Sequence, residues 1–454
     1  MKPAAIRGHR IPGPMIISMA VCLVISCPLH RAFGGQESVP CDRPFVFKGA
    51  AVNLVVLPYT NLTEYGAQLP LDRVGRQIPL LIQANGLFLM LKYPSVGSVN
   101  LIARPGASEC SEDVVLSQLL EQSGGAQTTL APGHGLILVW GTIYTEGGQT
   151  FIQTYLRFLR RGSQEEFRAR IGDQEFVSNL AGQAVTFAPK VLTSEDLDKI
   201  ERAFRQAITA HEGPGPQFPV IDLHLYDPKG FQHSGRGHQG YHVLDQRRDW
   251  ILVETDSGSR GWIRANANIG STRLSDWLPE MHFIDLTACY LQSMVSQTKS
   301  AQAFGQAKAA LELYLSRSGN DVAPLTAAVA EQMVGILATR ADSVRNLAYA
   351  DSMFSEAAKM LPSSPNARVL AALASFQSQR SGDSYPANAV GLERQLSTAF
   401  ALDPRDSTAY NNIVGFYDYL GKQSPRSGSN DLSPDRINQR LKMLRGIKPG
   451  TVDH

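Results

Sequence analysis

Three catalytic signatures are missing from this chain. No Gly-rich phosphate loop, no His-Glu-x-x-His helix and no Gly-x-Ser-x-Gly elbow occurs in its 454 residues, which removes the common P-loop, zinc-protease and serine-hydrolase readings. Long apolar runs are scarce as well. The one near the start, Met15 to Ser26, is shorter than the roughly twenty residues a membrane-spanning helix needs, and no later run is longer, so no membrane span is expected. A surplus of positive charge is also lacking. Taking away the four basic side chains of segment 1–34 leaves 39 basic against 41 acidic ones, and a nucleic-acid binder needs a basic footprint. Cysteine is sparse, at five. Cys289 has no nameable His or Asp neighbour in its own stretch, so it reads as a buried helix residue rather than a nucleophile.

What is present begins with an address. Lys2, Arg7 and Arg10 precede the apolar run, and Ala32-Phe33-Gly34 offers small residues for cleavage, so 1–34 reads as a signal peptide and the chain as exported, to the periplasm or beyond. Val24-Ile25-Ser26-Cys27 resembles a lipobox, but Pro28 favours simple cleavage over a lipoprotein anchored at Cys27. After cleavage Cys41, Cys110 and Cys289 remain. In an oxidising compartment an even subset pairs, and Cys41 and Cys110, in loops of one domain, are the expected disulfide.

The chain is organised around Gly135 to Gly162. Leu136 to Tyr144 is apolar at almost every position, the pattern of a strand covered on both faces. Glu146-Gly147-Gly148-Gln149 permits the positive backbone angles of a tight turn, and the return strand alternates through Ile152, Leu156 and Phe158. Ala51 to Tyr59 is a second strand that Pro58 is expected to end, and helical spacing from Leu71 to Leu81 meets a break or kink at Pro79. Short strands at Val99 to Ala103 and Ala184 to Ala188, a helix from Ser111 to Leu120, and another opened by Thr193-Ser194-Glu195-Asp196 complete an α/β layer domain over 41–211. Leu57-Pro58-Tyr59-x-Asn61 and Gly141-Thr142-Ile143 in this arrangement resemble the TolB amino-terminal domain family, with its CsgG- and FlgO-type relatives. That resemblance implies a domain that docks envelope partners and performs no catalysis. The sequence departs from the pattern by lacking the Gly-Asp pair after the Asn.

Glu212 to Pro216 is a linker by composition. Beyond it, Asp249-Trp250-Ile251-Leu252-Val253, a turn and Gly261-Trp262-Ile263 resemble bacterial SH3-like domains, with Arg248 in place of the usual Gly. A small β-barrel over 217–268 is implied. Trp250, Trp262 and Tyr241 then either bind a peptide or wall stem, or fill the barrel's core. His224, His233, His238 and His242 have no zinc-like spacing, and the last three read as a solvated loop.

From Ser275 the chain reads as helical. Ala350-x3-Phe354-x2-Ala357-x4-Pro362 resembles the second helix of a tetratricopeptide repeat (TPR), and Leu392-x3-Leu396-x2-Ala399-x4-Pro404 repeats its offsets. Asn412, Ile413, Tyr417 and Gly421 match the start of a following repeat, which makes Asn412 and Tyr417 candidate groove residues for a bound segment. The alternative is an irregular helical bundle. A polar linker and a basic tail helix over 423–454 follow, with Pro434 at its first position and Ile437, Leu441 and Leu444 on its apolar face, either capping the repeats or lying on an anionic surface.

The fold class expected is therefore α+β and multi-domain: an α/β layer domain, a small SH3-like barrel and a TPR-like helical solenoid over 275–422. The function expected is that of a non-catalytic envelope scaffold, with other envelope proteins, peptide segments or peptidoglycan as partners and no cofactor or metal. The competing expectation is an envelope hydrolase whose site is assembled from distant residues around the His-rich loop.

Overall fold

The computed structural model describes residues 46–62, parts of 74–86, 96–100, 112–120, 130–162, 167–171, 174–178, 184–196, 198, 240–247, 250–255, 258, 260–264, 278–296, 301–319, 321–341, 344–378, 389–405, 407–422 and 432–446. Cys41, Cys110, the signal segment and His224, His233 and His238 lie outside them.

The centre is a nine-stranded sheet. Strand β1 (Val52–Asn61) lies between β2 (Val96–Asn100) and β3 (Gly135–Glu146), parallel to both. β3 turns into β4 (Gln149–Arg160) through Gly147 and Gly148, whose φ values of 59° and 79° only glycine adopts without strain. β1 and β3 are buried on both faces, as continuous apolar runs require. Leu54, Val56, Ile137 and Val139 face one core, and Val55, Leu57, Leu136 and Leu138 face the other. The second core is closed by Val115 and Leu119 of helix α1 (Glu112–Leu120). Arg157 of β4 reaches Glu112 in the first turn of that helix at 2.6 Å. Two short strands, β7 (Ala184–Thr186) and β8 (Lys190–Leu192), pair with β4. Just beyond them Thr193 and Asp196 cap each other reciprocally and start the next helical turn.

One local expectation changes. Pro58 does not end β1: the strand continues to Asn61, and the pairing with β3 shifts register between Val56 and Tyr59. A bulge absorbs the proline, which has no N–H for the ladder. Around Pro79, Ile78, Leu81, Ile82 and Gln83 are helical, an arrangement that a kink at the proline allows.

A larger correction concerns the small barrel. Strands β9 (Gly240–Arg247), β10 (Trp250–Thr255) and β11 (Arg260–Arg264) form an antiparallel meander, but β9 pairs with β2 through Gly97–His242, Ser98–Tyr241 and Val99–Gly240. The meander therefore extends the first sheet, with order β11-β10-β9-β2-β1-β3-β4-β7, rather than closing on itself among the described residues.

Eight helices follow among the described residues. They are α2 (Glu280–Ser296), α3 (Ala301–Ser318), α4 (Pro324–Arg340), α5 (Val344–Met360), α6 (Pro365–Ser378), α7 (Ala389–Leu402), α8 (Ser407–Lys422) and α9 (Pro434–Arg445). Each packs on the next. Helix α2 docks them on the sheet. Leu291 fits against Gly135, where an added Cβ would lie 3.0 Å from the leucine Cβ, and Arg160 of β4 donates to the Met294 carbonyl. Phe187, Phe283 and Tyr314 meet edge to face at the same junction. The chain is thus mixed α/β with a C-terminal helical stretch built onto the sheet.

Candidate functional site

The small, leucine and aromatic positions of the two offset patterns are packed, while Pro362 and Pro404 are exposed. Ala350, Phe354 and Ala357 of α5 and Leu392, Leu396 and Ala399 of α7 are buried. The small residues allow close helix approach, and the aromatic fills the space between turns. α4 supplies the matching hollow: Gly335 lies under the Phe354 ring. No sequence offset had picked out Gly335, although a glycine inside an otherwise strong helical pattern signals such an approach.

The candidate binding residues do not form an open surface. Asn412 and Tyr417 on α8 are each 1% exposed, and the Tyr417 hydroxyl donates to Glu393 of α7 at 2.6 Å. Arg440 of α9 stands 3.6 Å from the same carboxylate. Burial and the Glu393 carboxylate both push the Tyr417 phenol up. These residues lock α7, α8 and α9 together, which corrects the expectation that they line a free groove. Trp262 is 3% exposed and sits in the sheet opposite Leu252, so its surroundings are those of a core residue. Trp250 lies on β10 paired with Arg247 and Arg264, and Tyr241 lies on β9 paired with Ser98, so the structure does not gather the three aromatics on one strand.

His242 is a strand residue and not part of a solvated loop. It is buried against Phe47, with ring centroids 5.5 Å apart, and closes on Gly49. Burial lowers its pKa. No group of three or more His, Cys, Asp or Glu side chains able to hold a metal occurs among the described residues. Cys289 is buried in α2, with its thiol toward the Ala303 carbonyl at 3.2 Å.

The most unusual polar group lies elsewhere. Glu280, at the first turn of α2, is buried where sheet and helices join, and its Oε2 has no hydrogen-bond partner among the described residues. Burial pushes its carboxyl up to about 7, partly offset by its own backbone N–H and by Lys190 of β8. Tyr59, which shares a 2.9 Å hydrogen bond with Thr154, and Tyr314 both feel its charge. The arrangement favours the neutral carboxyl where the sheet meets the helices. No family model, no curated protein and no solved structure matches this chain.

Proposed function

We propose that the chain is an exported, non-catalytic cell-envelope interaction protein. Its α/β layer portion, TolB-like in motif, docks a partner, and its TPR-like helices hold a protein segment. The observation that carries this reading is the helical stretch: among the described residues eight helices, each packed on the next, with small and aromatic residues buried at the repeat offsets. Stacked pairs of this kind make extended surfaces that bind chain segments. The resemblance of the β10–β11 stretch to SH3-like domains adds peptide stems or peptidoglycan as candidate ligands of the sheet edge. The burial of Trp262 favours the protein segment as the principal ligand. Cleavage near Gly35 and release to the periplasm fit the sequence up to Gly34.

Fractionation and cross-linking test this reading. The tagged full chain, expressed in its own cell type, is expected in the envelope fraction with an amino terminus near Gly35, cross-linked through α4–α9 to one recurring protein. A chain that keeps segment 1–34 and stays in the cytosol would overturn export. Specific binding to purified sacculi with no protein cross-link would overturn the choice of ligand.

A further inference from the structure

Burial alternates along the C-terminal stretch: α2, α4, α6 and α8 are covered on more sides than α3, α5 and α7. On α6, six consecutive positions from Val369 to Ala374 are buried. Successive helix residues are about 100° apart, so such a run has cover on every side. On α8, Asn412, Ile413, Phe416, Tyr417, Tyr419 and Leu420 are buried. On α5, which precedes α6, Ala350, Phe354 and Ala357 are the buried residues among those described, and on the intervening α7 Ala389, Leu392, Glu393, Leu396 and Ala399 are. Neighbouring helices supply part of the extra cover. A hairpin far away in sequence, β5 (Phe167–Ile171) and β6 (Gln174–Ser178), also packs on α6 and α8.

That hairpin stands apart from the large sheet. β5 and β6 pair only with each other among the described strands. A two-stranded ribbon is marginal alone in water and needs an apolar surface. The register sets positions 167, 169 and 171 opposite 178, 176 and 174, on one face, and 168 and 170 opposite 177 and 175, on the other. The first set holds Phe167, Ala169, Ile171 and Phe176 beside Gln174 and Ser178; the second holds Arg168, Arg170 and Glu175 beside Val177. In sequence the first register set is thus mainly apolar and the second mainly charged.

We infer that the β5–β6 hairpin is an intramolecular latch: in the resting chain it occupies the α6–α8 surface, and an extended partner segment with the same alternation of apolar and charged residues displaces it. The inference rests on the reading of α4–α9 as a segment-holding surface and names what holds that surface closed. Six residues join β4 to β5 and five join β6 to β7. Tethers this short give the hairpin an effective concentration on the order of millimolar, so a free segment binds weakly until the hairpin lets go.

The probe is a fluorescein-labelled synthetic peptide of residues 165–180, tested by anisotropy against two full-length chains: wild type, and a variant with Phe167 to Ser178 replaced by a Gly-Ser linker. The variant is expected to bind the peptide at least about tenfold more tightly than wild type, and a scrambled peptide to bind neither. Equal binding to both chains, or a folded variant that binds nothing, overturns the latch. Hydrogen exchange on wild type gives a second readout that does not depend on the variant folding. Hairpin amides are expected to open at least about a hundredfold more often than those of β3 and β4, and equal protection would make the hairpin a fixed part of the core. Failure of the peptide assay leaves envelope cross-linking able to succeed through another surface, so the two readings fail separately.

Discussion

The ring of Tyr59 covers Gly141. The two residues are paired between β1 and β3, and a Cβ added to Gly141 would fall inside the ring's van der Waals surface, 2.6 Å from Cζ. The two motif fragments, Leu57 to Asn61 and Gly141 to Ile143, thus meet residue against residue, with Thr60 opposite Thr142 and Asn61 opposite Ile143. The ring is fixed at its far end by the 2.9 Å hydrogen bond between its hydroxyl and Thr154.

Gly141→Ala is therefore expected to destabilise the chain by about 1 to 3 kcal/mol, the usual cost of overpacking. That exceeds the roughly 0.5 to 1 kcal/mol that replacing a strand glycine returns. Tyr59→Leu in the same chain should recover part of the loss, giving a coupling term of at least about 0.5 kcal/mol in a double-mutant cycle by urea unfolding. Strictly additive effects would mean that the ring yields without strain.

A similar contact lies between helices. A Cβ on Gly335 of α4 would come 2.9 Å from the Phe354 ring of α5, whereas one on Gly305 of α3 meets nothing within 4 Å. Helix propensity favours alanine over glycine by about 0.8 to 1 kcal/mol at both sites. At Gly335 the clash outweighs it, so Gly335→Ala should lower the melting temperature while Gly305→Ala raises it. The same sign for both would show that propensity decides at Gly335 too.

Glu280 gives a pH dependence with a definite sign. Its folded value of about 7 lies above the ordinary value of 4.5. The fold therefore keeps a proton that the unfolded chain has released, and stability falls as pH rises from about 4.5 through 7. The interval corresponds to roughly 3 kcal/mol for so buried a group. Glu331 of α4, raised to about 7 by burial and by Glu356, adds to the slope in the same window. Urea unfolding at pH 5 and pH 8 should show Glu280→Gln losing much less stability than wild type between the two. An unchanged difference would mean that water reaches the carboxylate.

Local pattern carried the central hairpin, because a two-sided apolar run and a Gly-Gly turn depend on neighbours in sequence. It also carried the capped start of α9, where Ser433 accepts from Arg436 N and Pro434 opens the helix. It did not carry the continuation of β1 past Pro58, since a bulge is defined by the partner strand. Nor could it show that β9 joins β2: His242 pairs with Gly97 from a distant part of the chain, and such a pairing leaves no periodic trace. The burial of Asn412 and Tyr417 was hidden for a similar reason. Part of what encloses α8 is the β5–β6 hairpin, from the other half of the chain, and part is the tail helix whose Ile437, Leu441 and Leu444 pack inward.

The repeat register itself is open to a sharp test on α5. Ala357 is fully buried, and its neighbour Ala358 is only partly so, about 100° further round the helix. The Ala357 carbonyl also receives the Leu361 N–H in the last turn before Pro362, so the backbone there has little room to retreat. A leucine at 357 has to push α5 off the helices it packs against, at about 1 to 3 kcal/mol. At 358 the side chain sits against the margin of the core, where it can turn toward solvent. Ala357→Leu should accordingly lower the melting temperature by several degrees, about 2 to 4 °C per kcal/mol at the size of a large domain, and Ala358→Leu by clearly less. Equal shifts would mean that the small-residue position has been read one step out. The offsets from Phe354 and Pro362 would then no longer support a TPR-like stack over α4 to α8.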